Sequence, residues 1–305
     1  MIPSVTVRAP SSTANLGPGF DVFGLAVDAF FDEVTLSRQK RGISIMSNEN
    51  IPTNPNDNTA GLVIKNIKRK FGIKDGIKIE INKGVPAGFG MGSSAASAAA
   101  AAVAANKLFG LGLNCNSLVE IAGYGEKASA GTIHYDNVAA SVLGGFVIVR
   151  TNPLDIIRIS PPADLRMCVA VPRLDVPKKK TEVSRGVIPD RIRLADSITN
   201  LANAASIVAG FAKKDSRMIG HAVKDVIVEP ARQHMIPGFA RVKKNALGAG
   251  ALGVTISGAG PSMIAFSEKT ADLGKIAVSM SRGFASKGTD CQTVICKPSK
   301  GAMGR

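Results

Sequence analysis

The stretch Lys83-Gly-Val-Pro-Ala-Gly-Phe-Gly-Met-Gly-Ser-Ser-Ala-Ala96 joins an isoleucine-rich run, residues 77–82, to an alanine-rich one, residues 93–108. The first has the β-branched alternation of a strand, and the second has the propensity of a helix. Gly88, Gly90 and Gly92 sit at alternate positions of the turn between them. They remove side chains there, so the backbone can press against a ligand. Ser93 and Ser94 are expected at the N-cap and first turn of the helix, where unpaired N–H groups and the helix dipole favour an anion. Their hydroxyls can also hold a metal-bound phosphate. No Gly-Lys-Ser/Thr closes the turn, so it is not a Walker A loop. It also lacks the spacing and the distal acid of a dinucleotide fingerprint.

Outward from this loop, residues 5–8, 22–31, 34–38, 43–46, 145–151, 155–160 and 167–171 have strand composition, and 59–71, 117–129 and 138–143 read as helices. In the second half 181–187, 191–210, 215–226 and 238–248 read as helices, and 254–257, 263–266 and 293–297 as strands. The mixture predicts an α+β protein of layered sheet and helix. Prolines in residues 152–162 mark a hinge, which divides the chain into domains 1–155 and 156–305. The small, basic tail after Pro298 is expected to fray.

Of 305 residues, 45% are hydrophobic and 20% charged, which excludes a disordered chain and allows a sizeable core. Cys115, Cys168, Cys291 and Cys296 form no CxxC pair, and His134, His221 and His234 are too dispersed for a zinc motif. These are the thiols of a reducing compartment. His221 and His234 are expected at the surface or in packing. The start lacks a charged segment followed by an apolar block, and the alanine run at 95–105 is too short to cross a bilayer. A cytoplasmic protein with no membrane partner is expected. The net charge of +15, from 38 Lys+Arg against 23 Asp+Glu, raises the question of nucleic acid. The basic clusters at 38–41, 65–70 and 178–180 are far apart, and the chain has two Tyr and no Trp to interleave. They read as solvated surface, with no nucleic-acid partner.

Pro86-Ala-Gly-Phe-Gly-Met-Gly-Ser-Ser-Ala-Ala96 resembles the phosphate loop of the GHMP small-molecule kinases. Two further signatures of that superfamily stand in order, Pro10-Ser-Ser-Thr-Ala-Asn-Leu-Gly-Pro-Gly-Phe-Asp21 and Val254-Thr-Ile-Ser-Gly-Ala-Gly-Pro-Ser262. Within it, the opening motif, His134-Tyr-Asp-Asn-Val-Ala139 with Leu143-Gly-Gly-Phe146, and Glu229-Pro-Ala-Arg232 with Ile236-Pro237 look like the homoserine kinases. The alternative within the superfamily is a kinase of another small alcohol, of mevalonate or shikimate type. The resemblance implies a two-domain GHMP kinase fold, with an N-terminal half like ribosomal protein S5 domain 2 and a ferredoxin-like C-terminal half. A domain shared with a ribosomal protein also leaves RNA binding as a rival from another class, by fold analogy alone.

The resemblance further implies ATP and Mg²⁺ as cofactors, L-homoserine as substrate and a homodimer. It assigns the nucleotide to Asn58, Lys83 and the loop Pro86, Ala87, Gly88, Phe89, Gly90, Met91, Gly92, Ser93, Ser94, Ala95 and Ala96. Asn58 would read the adenine, and Lys83 would be a point charge on the phosphates. The metal falls to Ser94 and Glu126, oxygen donors that suit a hard cation. The substrate falls to Asn15, Asp21, His134, Asn137, Thr181, Arg185 and Arg232, with Asn137, Thr181 and Arg185 closest to the chemistry. A carboxylate wants the planar fork of Arg, and an ammonium wants a carboxylate such as Asp21. An amide at Asn137 cannot take a proton, so it is expected to orient the hydroxyl. Consecutive side chains diverge, so Asp136 is not expected to share that place. Tyr135 is expected to crowd the pocket mouth.

Overall fold

Strand β1 (Ser4–Ala14) pairs antiparallel with β2 (Phe23–Gln39) along its length, with a register shift between Pro10 and Ser11. The chain is described by a computed structural model over residues 4–130, 133–177 and 180–304. The expected strands 22–31 and 34–38 are one strand, because the charge that divides them does not face water. Asp32 is fully buried and accepts from the backbone N–H of Gly84 and Val85, both at 3.0 Å, and from Ser97 Oγ at 2.7 Å.

The N-terminal half continues with β3 (Ile43–Ser47), α1 (Thr59–Phe71), β4 (Gly76–Asn82), α2 (Ser93–Phe109), α3 (Cys115–Gly125), α4 (Lys127–Ala130), α5 (Tyr135–Leu143), β5 (Phe146–Thr151) and β6 (Leu154–Ile159). Its sheet has the order β3-β4-β2-β5-β6, with β1 paired to β2 off this path. Helix α2 lies against β1, β2, α1, α3 and α5, so its alanines are buried all round. Side chains this small let five neighbours approach one helix axis closely. The expected helix 117–129 breaks at Glu126, which caps α3.

The second half adds β7 (Leu165–Pro172), α6 (Lys180–Gly186), α7 (Leu194–Lys213), α8 (Ser216–Ala222), α9 (Val228–Arg232), α10 (Phe239–Gly248), β8 (Gly253–Ile256), β9 (Met263–Glu268), α11 (Leu273–Ala285) and β10 (Cys291–Cys296). Here the sheet order is β10-β7-β9-β8, antiparallel throughout. Val242 and Ala246 of α10 and Ile276, Met280 and Phe284 of α11 close its core. This two-sheet α+β architecture agrees with the expected fold class, although α11 was not among the expected helices.

The 155/156 cut falls inside β6, which pairs with β5 and so stays with the first sheet. The tail after Pro298 does not fray as expected. Ser299 N–H donates to Ala26 O at 2.9 Å and Ala302 N–H to Ser141 O at 2.8 Å, and the Ala302 side chain is buried. Backbone pairing to β2 and to α5 supplies what its small side chains lack. Of the basic cluster 178–180, only Lys180 lies among the described residues. His221 and His234 are exposed. Burial pushes the Cys168 thiol up to about 12 and that of Cys296 well above its ordinary value, so neither is a nucleophile. Among the described residues, no helix is long and apolar enough to cross a membrane.

Candidate active site

The three signature segments meet in space. The Ser257 hydroxyl, just past β8, donates to Gly90 O at 2.8 Å and lies 3.0 Å from Thr13 Oγ1. Asn15 Nδ2 donates to Gly258 O at 2.9 Å. The end of β1, the glycine turn and the turn after β8 therefore form one structure. A cleft of about 400 Å³ opens beside it, lined from both halves of the chain.

Gly88, Gly90 and Gly92 have φ of +84°, +73° and +68°, the left-handed region that glycine enters without strain. The last of these is the N-cap of α2, so the cap is Gly92 rather than Ser93. A glycine offers no side-chain cap to the first-turn amides. Ser93 instead donates to Val85 O at 2.8 Å and pins the turn from beneath. Pro86, Ala87, Met91 and Ala95 line the cleft. Phe89 and Ala96 do not line it as expected: Phe89 leans towards Val171 and Pro172, and Ala96 is buried in the helical core.

Lys83, expected as a point charge on the phosphates, lines the cleft and in the empty site has protein partners. Its ammonium pairs with the buried Asp32 and donates to Ser93 O at 2.9 Å and Ser97 Oγ at 3.0 Å. It buttresses the helix start from below. Asp32 thus holds the strand end, the lysine and the loop entrance together, and its sequence signal is an acid inside an apolar strand. Replacing Asp32 with Asn would leave a buried ammonium without its counter-ion. We expect a loss of about 3–5 kcal/mol in urea unfolding, and a loss below about 1 kcal/mol would show that the lysine escapes to water.

Asn58 likewise has protein partners. Its Oδ1 accepts from Gly61 N–H at 3.0 Å as the N-cap of α1, and its Nδ2 donates to Pro52 O at 2.8 Å. It holds the 52–59 wall of the cleft, which it lines. Tyr135 does not crowd the mouth; its ring lies where a Cβ on Gly123 would come within 2.4 Å, so it packs on α3.

Across the cleft mouth, Arg185 Nη2 reaches Asp21 Oδ1 at 2.5 Å and Oδ2 at 2.6 Å, and lies 3.0 Å from His134 Nδ1. Burial, then Arg185, holds the His134 pKa below its ordinary value, so the neutral ring is favoured. Asp21 has φ of +59° and Asn15 of +70°, and Asn15 Oδ1 accepts from Asp21 N–H at 3.1 Å. The loop that presents Asp21 is strained, as functional loops commonly are. Arg232 is buried, donating through Nε to Ser184 O at 2.9 Å and through Nη1 to Gly258 O at 3.2 Å. Helix α9 carries it there because Asp225 accepts from the N–H groups of Ile227, Val228 and Glu229. Burial lowers the Arg232 pKa to about 10, leaving it charged at neutral pH. Thr181 also lines the cleft.

Asn137 Oδ1 accepts from Ser12 Oγ at 2.9 Å, which holds the amide at the first turn of α5. Asp136 does not diverge from it as expected: both line the cleft, with Asp136 Oδ1 3.4 Å from Asn137 Nδ2 and accepting from Asn137 N–H at 2.7 Å. Side chains alternate strictly in a strand, whereas in a helical first turn a short acid can fold back onto the next amide. Burial raises its pKa to about 6.

In the same cleft, Ser94 Oγ donates to Glu126 Oε2 at 3.0 Å, and burial raises the Glu126 pKa to about 7. Hydroxyl and carboxylate are hard oxygen donors at the mouth of the loop. Among the described residues no group of three or more His, Cys, Asp and Glu could hold a metal. A cation here would take the rest of its shell from phosphate and water, so the donor set fits a weakly protein-bound divalent ion.

Residues 58–145 match the family model described as the GHMP kinases N terminal domain, and residues 207–286 match GHMP kinases C terminal. The chain is 40% identical to a homoserine kinase of Thermoplasma volcanium, over 87% of this chain and 85% of that one. It is 39% identical to a homoserine kinase of Pyrobaculum neutrophilum, over 97% and 99%. The crystal structure of homoserine kinase from Cytophaga hutchinsonii is similar with a TM-score of 0.92 and 38% identity, covering 99% of this chain and 97% of that one.

Proposed function

The chain belongs to the GHMP kinases, and on that premise we propose that its cleft transfers the γ-phosphoryl group of ATP to the hydroxyl of L-homoserine, giving O-phospho-L-homoserine for threonine synthesis. The observation that carries the reading is one cleft with two unlike ends. At one end are a glycine-rich turn and a helix start with no side-chain cap, and at the other a carboxylate–guanidinium pair backed by a second arginine.

The glycine turn and the first amides of α2 bind the phosphates, as an uncapped helix N-terminus suits an anion. Ser94 and Glu126 hold Mg²⁺, whose part when bound is to neutralise charge on the phosphate oxygens. Arg185 and Arg232 take the substrate carboxylate, while Asp21 takes its ammonium. In the empty cleft Asp21 and Arg185 satisfy each other, so a zwitterion exchanges one internal pair for two external ones. Asn15 holds Asp21 in place, His134 donates to the carboxylate edge, and Thr181 lines the pocket beside Arg185.

Asn137 orients the hydroxyl towards the phosphorus. The hydroxyl oxygen forms the new P–O bond as the bond to the ADP leaving oxygen breaks, and the proton passes to a phosphate oxygen or water. A loose transition state needs positioning and charge neutralisation more than a strong base. Asp136 fixes the Asn137 amide, and Asn at position 136 retains an acceptor for that N–H. Turnover of Asp136→Asn is therefore expected within about tenfold of the parent, since a general base contributes on the order of 10²–10⁴. A loss of three orders or more in a folded variant would make Asp136 the base.

A coupled assay of ADP release with homoserine, mevalonate, shikimate and galactose, with the product identified by mass, tests the activity. The expected result is turnover with homoserine far above the others. Equal or greater turnover with a neutral sugar would overturn the reading, because the arginines would then have no partner.

A further inference from the structure

Lys180 stands in the wall of the cleft and has no part in the roles above. It opens α6 one residue before Thr181, and its ammonium donates to the carbonyls of Ala259 and Gly260. Those carbonyls belong to the turn that presses on the phosphate loop. A Cβ on Gly90 would meet Gly260 N at 2.8 Å and Gly260 O at 3.0 Å. An ammonium has three donors, so two carbonyls leave one N–H for a ligand. Among the described residues the neighbouring cations already have partners: Lys83 is paired with Asp32, Arg185 with Asp21, and Arg232 donates to the Ser184 and Gly258 carbonyls.

Resting on the reading of the cleft as a phosphoryl-transfer site, we propose that Lys180 is a catalytic residue whose ammonium contacts the terminal phosphoryl group as it passes from the nucleotide to the alcohol. The loop amides and the Ser94–Glu126 pair approach the phosphates from the N-terminal half. Lys180 approaches from the C-terminal half, beside the same loop. In a loose transition state the charge spreads over all three equatorial oxygens, so a donor on the second side stabilises it further. Burial, then Arg232, lowers the lysine pKa to about 7 in the empty cleft. An entering polyanion restores the charged form at the moment it is needed.

The test compares Lys180→Met and Lys180→Arg with the parent enzyme, measuring kcat, both KM values and the affinities of ADP and a non-hydrolysable ATP analogue. Lys180→Met should lower kcat about 10²-fold, the scale for removing one transition-state donor. Homoserine KM and ADP affinity should stay within threefold, while the analogue binds more weakly. Lys180→Arg keeps the charge and should retain at least a tenth of kcat. A kcat within threefold for Lys180→Met overturns the proposal. So does a rise in homoserine KM at constant kcat, which would place the lysine on the substrate carboxylate. Should Lys180→Met not fold, reductive methylation of the parent protein decides instead. The ATP analogue should protect Lys180 and AMP should not, and equal labelling with either overturns the proposal. A parent enzyme inactive on homoserine would refute the proposed activity, whereas the labelling still judges Lys180.

Discussion

Gly90→Ala should leave a folded protein with kcat/KM for ATP reduced on the order of 10²–10³. The residue has φ of +73°, and a Cβ there would stand 2.1 Å from Ser257 O and 2.8 Å from Gly260 N, both backbone atoms with no freedom to turn aside. Left-handed backbone costs a side-chain-bearing residue roughly 1–2 kcal/mol. The collision adds to this by pushing the loop off the turn after β8. A shift of about 1 Å in phosphate position can cost roughly a hundredfold in rate, and the two effects together set the range. Gly110→Ala is the control. Gly110 caps α2 at the far end with φ of +61°, and its added Cβ would meet nothing within 4 Å. That variant should lose about 1 kcal/mol of stability and keep its activity. Steady-state kinetics with thermal melting of both variants separates strain from collision. A Gly90→Ala enzyme within threefold of the parent would mean that the loop does not hold the nucleotide.

Arg185→Met should raise the homoserine KM about 10²–10³-fold and leave the ATP KM within threefold. Truncating one partner of a hydrogen-bonded charge pair costs about 2–5 kcal/mol, and the upper part of that span applies because a bound carboxylate loses its fork. Asp21, 40% exposed in its side chain, can turn to water when its partner goes, so the fold should be unaffected. Lys at position 185 keeps the charge without the planar fork and should fall between the two. Initial rates across a homoserine concentration series check this. An ATP KM that rises in parallel would move Arg185 to the nucleotide, and an unchanged homoserine KM would remove it from the substrate site.

The glycine loop, α1, α2, most strands and the order of the three signature segments were legible in the residues. Each rests on interactions within a few positions: glycines needed for left-handed backbone, alanines for helix propensity, and β-branched runs for pleated strands. The substrate residues were nameable through the family resemblance, but their mutual engagement was not. Arg185 and Asp21 are 164 positions apart, and Arg185 and His134 are 51 apart. The same limit hides the engagements of Lys83, Asn58 and Asp136, all three of which line the cleft. Their actual partners (Asp32, the Pro52 carbonyl and the Asn137 amide) were set by packing. Lys180, expected as solvated surface, stands in the cleft wall instead, and Asp32 is buried, because an acid in a strand and a lysine in a basic run carry no local sign of what will surround them.

Local sequence thus determined that this protein would build a glycine-lined turn between strand and helix, since backbone conformation responds to nearest neighbours. Only the tertiary structure decided which charges meet across the cleft, which are buried beneath it, and where the tail docks. Electrostatic and hydrogen-bond energies depend on distances that no residue possesses until the two sheets close on each other.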